Sequence, residues 1–166
     1  MTDRQPGIRA YTERTAEVID MTDLDARDGC ETGETHRHWV TRLRCEGVPA
    51  VAARLPALRS RITDWARQAG LGPERTEALR LATYEAMTNV VEHAYGKRRG
   101  VLDLYALYQP DRDKVIVTVV DHGRWRPRLV RRRPGPGFGM ALMRGLADKV
   151  DVITTPDGTT VRLSWA

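Results

Sequence analysis

Long hydrophobic runs are missing from this chain, and cysteine is scarce. No apolar stretch approaches the ~20 residues of a membrane-spanning helix, so no membrane contact is expected. Met1 to Glu17 has no apolar centre of the kind a secretion signal carries. Only Cys30 and Cys45 occur. Two cysteines without such a signal are expected to be reduced thiols in the cytoplasm. Cys30, His36, His38 and Cys45 match no common zinc spacing either.

What is present is enough for one domain. The 166 residues can bury a real core, and 41% hydrophobic with 30% charged residues is ordinary for a water-facing protein. The net charge of +5 hides an asymmetry. Residues 1–35 hold nine acidic and four basic residues, a net of −5, while residues 36–166 hold 23 basic and 13 acidic, a net of +10. The basic body suits acidic partners such as nucleotide phosphates, an acidic protein face or nucleic acid. Arg124, Arg126, Arg128, Arg131, Arg132 and Arg133 fall within ten residues. That run lacks aromatics beyond Trp125 and no helix-turn-helix pattern accompanies it, so direct nucleic-acid binding is not expected.

Two regions are expected: residues 1–35 as an acidic, disordered tail, and residues 36–166 as the folded body. His38–Cys45 alternates like an edge strand. Pro49 suits a first helical turn, and Val51, Leu55, Leu58, Ile62, Trp65 and Ala66 keep a helical period up to Gly70, although Pro56 moves the expected start toward that residue. A second helix is expected over Pro73–Tyr95, closed by Gly96. Strands are expected at Val101–Tyr108 and Lys114–Asp121, the latter central. Residues 122–137 read as loop, Phe138–Ala147 as helix, and Val150–Thr154 with Thr159–Trp165 as a closing hairpin. Helices grouped against a mostly antiparallel sheet predict an α+β two-layer sandwich with the helices on one face.

The chemistry concentrates in four places. Glu85, Asn89 and His93 recur every fourth residue at the edge of an apolar stripe made by Leu79, Ala82, Ala86, Met87, Val90 and Ala94. A carboxylate able to take a proton thus stands one turn from an amide oxygen able to bind a hard cation, which suits Mg-nucleotide chemistry. A solvated helix flank would carry the same residues. Asp121-His122-Gly123 ends the central strand, where an aspartate can accept from an exocyclic amine and a glycine lets a flat ring approach; an ordinary turn also uses these residues. Gly137 and Gly139 lead into a helix start, where backbone N–H groups favour phosphate, without the Gly-Lys-Ser/Thr of a P-loop and without the tight turn of a dinucleotide fold. Gly158-Thr159-Thr160 opens the last strand and is equally compatible with hairpin chemistry.

Taken in order, Glu85-x3-Asn89-x3-His93-Ala94-Tyr95, then Asp121-x-Gly123, Gly137-x-Gly139 and Gly158-Thr159-Thr160 resemble the gyrase/heat-shock-chaperone/histidine-kinase ATPase superfamily, the Bergerat fold. The short chain and the His-Ala-Tyr ending are similar to the bacterial anti-sigma-factor serine kinases, over about residues 38–166. The resemblance implies ATP and Mg²⁺, with Glu85 as general base and Asn89 as the Mg²⁺ ligand. It implies Asp121 and Gly123 at the adenine, Gly137 and Gly139 in the lid near the phosphates, and Thr159 or Thr160 near the adenine. It further implies a serine or threonine of a small anti-anti-sigma (STAS-type) protein as substrate, a competing sigma factor as second partner, and homodimers.

One position departs. The superfamily's Asp-x-Gly-x-Gly reads Asp121-His122-Gly123-Arg124-Trp125 here, so the second glycine's freedom at positive φ is lost. Trp125 motivates an alternative: a non-catalytic, weakly nucleotide-binding module that sequesters a sigma factor or other regulator.

Overall fold

The computed structural model of the chain describes residues 30–35, 40–96, 98–124 and 138–166. The expectations for residues 1–29, for Trp125 and the arginines after it, and for Gly137 fall outside these. Six strands form among the described residues: β1 (Cys30–Thr35), β2 (Val40–Pro49), β3 (Val101–Gln109), β4 (Lys114–Asp121), β5 (Lys149–Thr155) and β6 (Gly158–Trp165). They make one sheet in the order β1-β2-β3-β4-β6-β5, with every neighbouring pair antiparallel. Three α-helices cover one face: α1 (Leu55–Gln68), α2 (Pro73–Asn89) and α3 (Phe138–Leu146). This is the expected α+β sandwich.

Alternation decides which face is covered. Leu102, Leu104 and Ala106 on β3, Val115, Val117 and Val119 on β4, and Val161, Leu163 and Trp165 on β6 are buried beneath the helices. Directly paired residues share a face, so Asp121, opposite Leu102 and Thr159, ends β4 on the helix side. The helices answer with Leu58, Ile62 and Trp65 from α1, Leu79, Ala82, Ala86 and Met87 from α2, and Met143 from α3. Each large apolar side chain so buried contributes roughly 1.5–3 kcal/mol. β4 is central, as its run of β-formers predicts, flanked by β3 and β6.

Three expectations need correction. The first strand lies inside the sheet rather than at its edge, because β1 pairs along it from Cys30↔Cys45 to Thr35↔Val40. The boundary at residue 35 therefore cuts a sheet-bound pair of strands. β1 reads Cys-Glu-Thr-Gly-Glu-Thr, with no apolar alternation to announce it. Second, Pro49 ends β2 instead of opening a helix. A 3₁₀ turn at Ala52–Arg54 comes next, and α1 starts at Leu55, which puts Pro56 in a first turn where its missing N–H leaves no bond unmade. Third, Cys45 is not a free thiol but disulfide-bonded, and the residue opposite it in the register is Cys30. The cysteines thus give no argument for a reducing compartment. Among the described residues no helix is long and apolar enough to cross a membrane.

α2 carries both Glu85 and Asn89, so its anchoring fixes where they stand. Gly72 in extended geometry and Pro73 start it. Arg75 then donates to the carboxylate (2.6 Å) and the carbonyl (2.7 Å) of Asp113, at the turn between β3 and β4. After Asn89 the helix widens, and Val90–Ala94 form a π turn where the sequence predicts regular helix up to Tyr95. Gly96, at φ +60°, closes it.

Candidate active site

Glu85 and Asn89 are partly exposed at the C-terminal end of α2, while Ala82, Ala86, Met87 and Val90 beside them are buried. The pair therefore stands at the rim of the apolar stripe. His93 lies within the π turn. Its Nε2 lies 3.7 Å from the Glu92 carboxylate.

Asp121 is 1% exposed. Its Oδ1 accepts from the Gly123 N–H at 2.9 Å and from the Thr159 N–H at 3.3 Å. These two bonds orient a buried carboxylate that a hydrophobic core alone would not tolerate. Thr159 is buried beside it, and its hydroxyl has no hydrogen-bond partner among the described residues. A buried polar group left unmatched in the bare protein is a ready partner for a polar ligand edge.

Gly123 and Gly139 are required by close approach. A Cβ on Gly123 would overlap the Ala94 carbonyl, and that same carbonyl accepts from the Arg124 N–H at 2.9 Å. The chain leaving β4 is thereby laid against the end of the π turn. A Cβ on Gly139, in the first turn of α3, would overlap the Glu85 carboxylate. Gly139 thus lets α3 close directly on Glu85.

The structure sets Gly139 against Glu85, groups Asp121, Gly123 and Thr159 at the end of β4, and ties that group to the helix carrying Asn89 through the Gly123–Ala94 contact. Thr160 does not join them: it pairs with Val120 and Ile153 on the opposite face of the sheet. The donor set fits a magnesium nucleotide. Asn89 offers a neutral oxygen for the cation, and Asp121 and the Thr159 hydroxyl offer polar atoms for a base edge.

Two contributors do not stand out in the sequence. Gly158, at φ +148°, has no room for a Cβ against the Asp121 carbonyl; its place before the two threonines is the available signal. Tyr95 donates its hydroxyl to the Val101 carbonyl and accepts from the His122 N–H at 2.8 Å. In the sequence it is visible only as the end of the His-Ala-Tyr triplet.

Comparison with known proteins gives these features a context. The family model described as histidine kinase-like ATPase domain matches residues 48–165. An anti-sigma F factor from Caldanaerobacter subterraneus subsp. tengcongensis is 28% identical over 119 residues, covering 64% of this chain and 80% of that one. The serine-protein kinase RsbW of Staphylococcus aureus is 26% identical over 133 residues, covering 70% and 82%. Among solved structures, the RsbU and RsbW domains of Rv1364c from Mycobacterium tuberculosis align with a TM-score of 0.59 at 21% identity, over 74% of this chain. That likeness is one of fold, and the chain spans 31% of that longer protein.

Proposed function

Because this chain belongs to the histidine kinase-like ATPase domain family, we propose that it is an ATP- and Mg²⁺-dependent serine/threonine kinase. Its substrate is a hydroxyl of a small anti-anti-sigma protein, and the same chain binds a sigma factor in competition. The observation that carries the reading is that both the helix bearing Glu85 and Asn89 and the strand end bearing Asp121 are tied at one place, by the Gly139–Glu85 and Gly123–Ala94 contacts. The names of the relatives, anti-sigma F factor and serine-protein kinase, support the substrate and partner classes.

The mechanism is positioning with charge neutralisation. Asp121 receives the adenine amine, and the Thr159 hydroxyl supports the same edge. Asn89 would hold a magnesium ion, which would offset phosphate charge. Glu85 takes the proton of the partner's hydroxyl as that oxygen bonds to the γ-phosphorus. The bond from the γ-phosphorus to the bridging oxygen breaks, and ADP leaves with that oxygen. Glu85 needs no reach beyond the cleft rim, where it is already partly exposed.

Labelled ATP, Mg²⁺ and a panel of the host's anti-anti-sigma domains test this. Label is expected on one serine or threonine of one partner, and Glu85→Ala is expected to lower transfer about a hundredfold or more while nucleotide and partner binding persist. Nucleotide binding without transfer to any domain removes the kinase claim. Unchanged function of Glu85→Ala favours the alternative suggested by Trp125, a sequestering module without catalysis.

A further inference from the structure

Tyr95 comes directly after the π turn and reaches across to the end of β4. We propose that Tyr95 is a positioning residue for the adenine end of the cleft. Its hydroxyl ties the backbone of His122, next to Asp121, to the start of β3, and so holds Asp121 and Gly123 in place relative to the helix that carries Asn89. The inference rests on the nucleotide-site reading above.

Four observations carry it. The Tyr95 hydroxyl bridges two backbones, accepting from the His122 N–H at 2.8 Å and donating to the Val101 carbonyl. Its ring occupies the space where a Cβ on Gly100 would sit, so the phenol is seated by packing as well as by hydrogen bonds. Burial, aided by the charge of Asp121, raises the phenol above the ordinary tyrosine range. The adjacent Ala94 carbonyl grips Gly123 and the Arg124 N–H. Residues 94–95 therefore hold three consecutive residues, 122–124, from outside.

That external hold has a reason in this sequence. Trp125 stands where a second glycine would otherwise set the turn by its own conformational freedom. The His122 side chain adds a further tie, with Nε2 3.0 Å from Asp103 Oδ2, while Asp103 Oδ1 accepts from the Gly47 N–H at 2.7 Å. The segment after Asp121 is thus moored to β2, β3 and the π turn. A hydrogen-bond acceptor for a base must be placed to well under about 1 Å, since errors of that size cost on the order of 100-fold in well-fitted sites.

Tyr95→Phe keeps the ring over Gly100 and removes both hydrogen bonds. Calorimetry on the full chain would measure affinity for Mg-ATP, Mg-GTP and Mg-tripolyphosphate. The unmodified chain is expected to prefer ATP to GTP. The variant is expected to lose about tenfold in ATP affinity and most of the ATP/GTP discrimination, with tripolyphosphate binding within about twofold. A general loss of stability would weaken all three ligands alike, and that pattern overturns the proposal, as does unchanged ATP affinity and discrimination. Hydrogen exchange supplies a test that needs no variant. The His122 amide belongs to a residue whose side chain is 49% exposed, yet it should exchange as slowly as the amides of the β4–β6 ladder; fast exchange overturns the strut. If the unmodified chain binds no Mg-ATP, the site reading itself fails, which is a different result from a silent Tyr95→Phe.

Discussion

Two adjacent threonines show how much one residue's face decides. From the sequence, Thr159 and Thr160 are interchangeable candidates near the adenine. The register separates them: Thr159 lies opposite Asp121, and Thr160 lies opposite Val120 on the far side of the sheet. The Thr159 hydroxyl is buried and without a hydrogen-bond partner among the described residues, which costs about 1–3 kcal/mol unless a ligand meets it. Thr159→Val removes that cost. The variant is therefore expected to be as stable as the parent or up to about 1 kcal/mol more so, yet to bind Mg-ATP about five- to tenfold more weakly. Thr160→Val is expected to leave ATP affinity unchanged. Paired melting curves and ATP titrations check both. An affinity loss at Thr160 rather than Thr159 would reverse the assignment. The choice was open to sequence, since Thr159 falls in phase with Val161, Leu163 and Trp165 and Thr160 with Arg162 and Ser164.

At the scale of elements, α2 divides its labour by face. Met87 is fully buried between two partly exposed site residues, Glu85 and Asn89. Met87→Ala is expected to lower unfolding free energy by about 2–5 kcal/mol through lost packing and the cavity left behind. Glu85→Ala should stay within about 0.5 kcal/mol of the parent. Urea unfolding of the two variants tests the division; equal destabilisation would mean that Glu85 is a structural residue. This amphipathic division was legible in advance from the 3.6-residue period, as were β3, β4, α3 and the closing hairpin, each marked by apolar periodicity and flanking turn residues. Two elements were not. β1 is polar and becomes a strand only by pairing with β2, a tertiary effect that its own residues do not encode. The π turn at Val90–Ala94 leaves no period of its own. Its use becomes visible only when the Ala94 carbonyl is seen to receive the chain after β4. The site was legible as a set of residue types in order; what held them together was not, because Tyr95 and Gly158 meet backbone groups of distant residues.

For the whole molecule, the least expected feature is the disulfide of Cys45. Cys45 is fully buried and packs with the core beneath α1 and α2, while β1, opposite it, is the outermost strand of its edge. The chain's other cysteine is Cys30; a bridge between the two would close a loop of about 15 residues and restrict the unfolded state by roughly 3 kcal/mol in the chain-entropy account. For a body of this size that corresponds to a shift on the order of 10 °C in thermal midpoint. Treatment with a dithiol reductant is therefore expected to lower the midpoint by about that amount. Cys45→Ser should melt near the reduced value and ignore the reductant. β1 meets β2 alone among its neighbours in the sheet, and the family match begins at residue 48, beyond most of the β1–β2 pair. Reduction should accordingly leave Mg-ATP affinity within about twofold, since Asp121, Thr159 and Asn89 are held by β4, β6 and α2. A reductant that abolished nucleotide binding while the midpoint stayed fixed would show that the bridge acts on the cleft and not on the edge of the sheet.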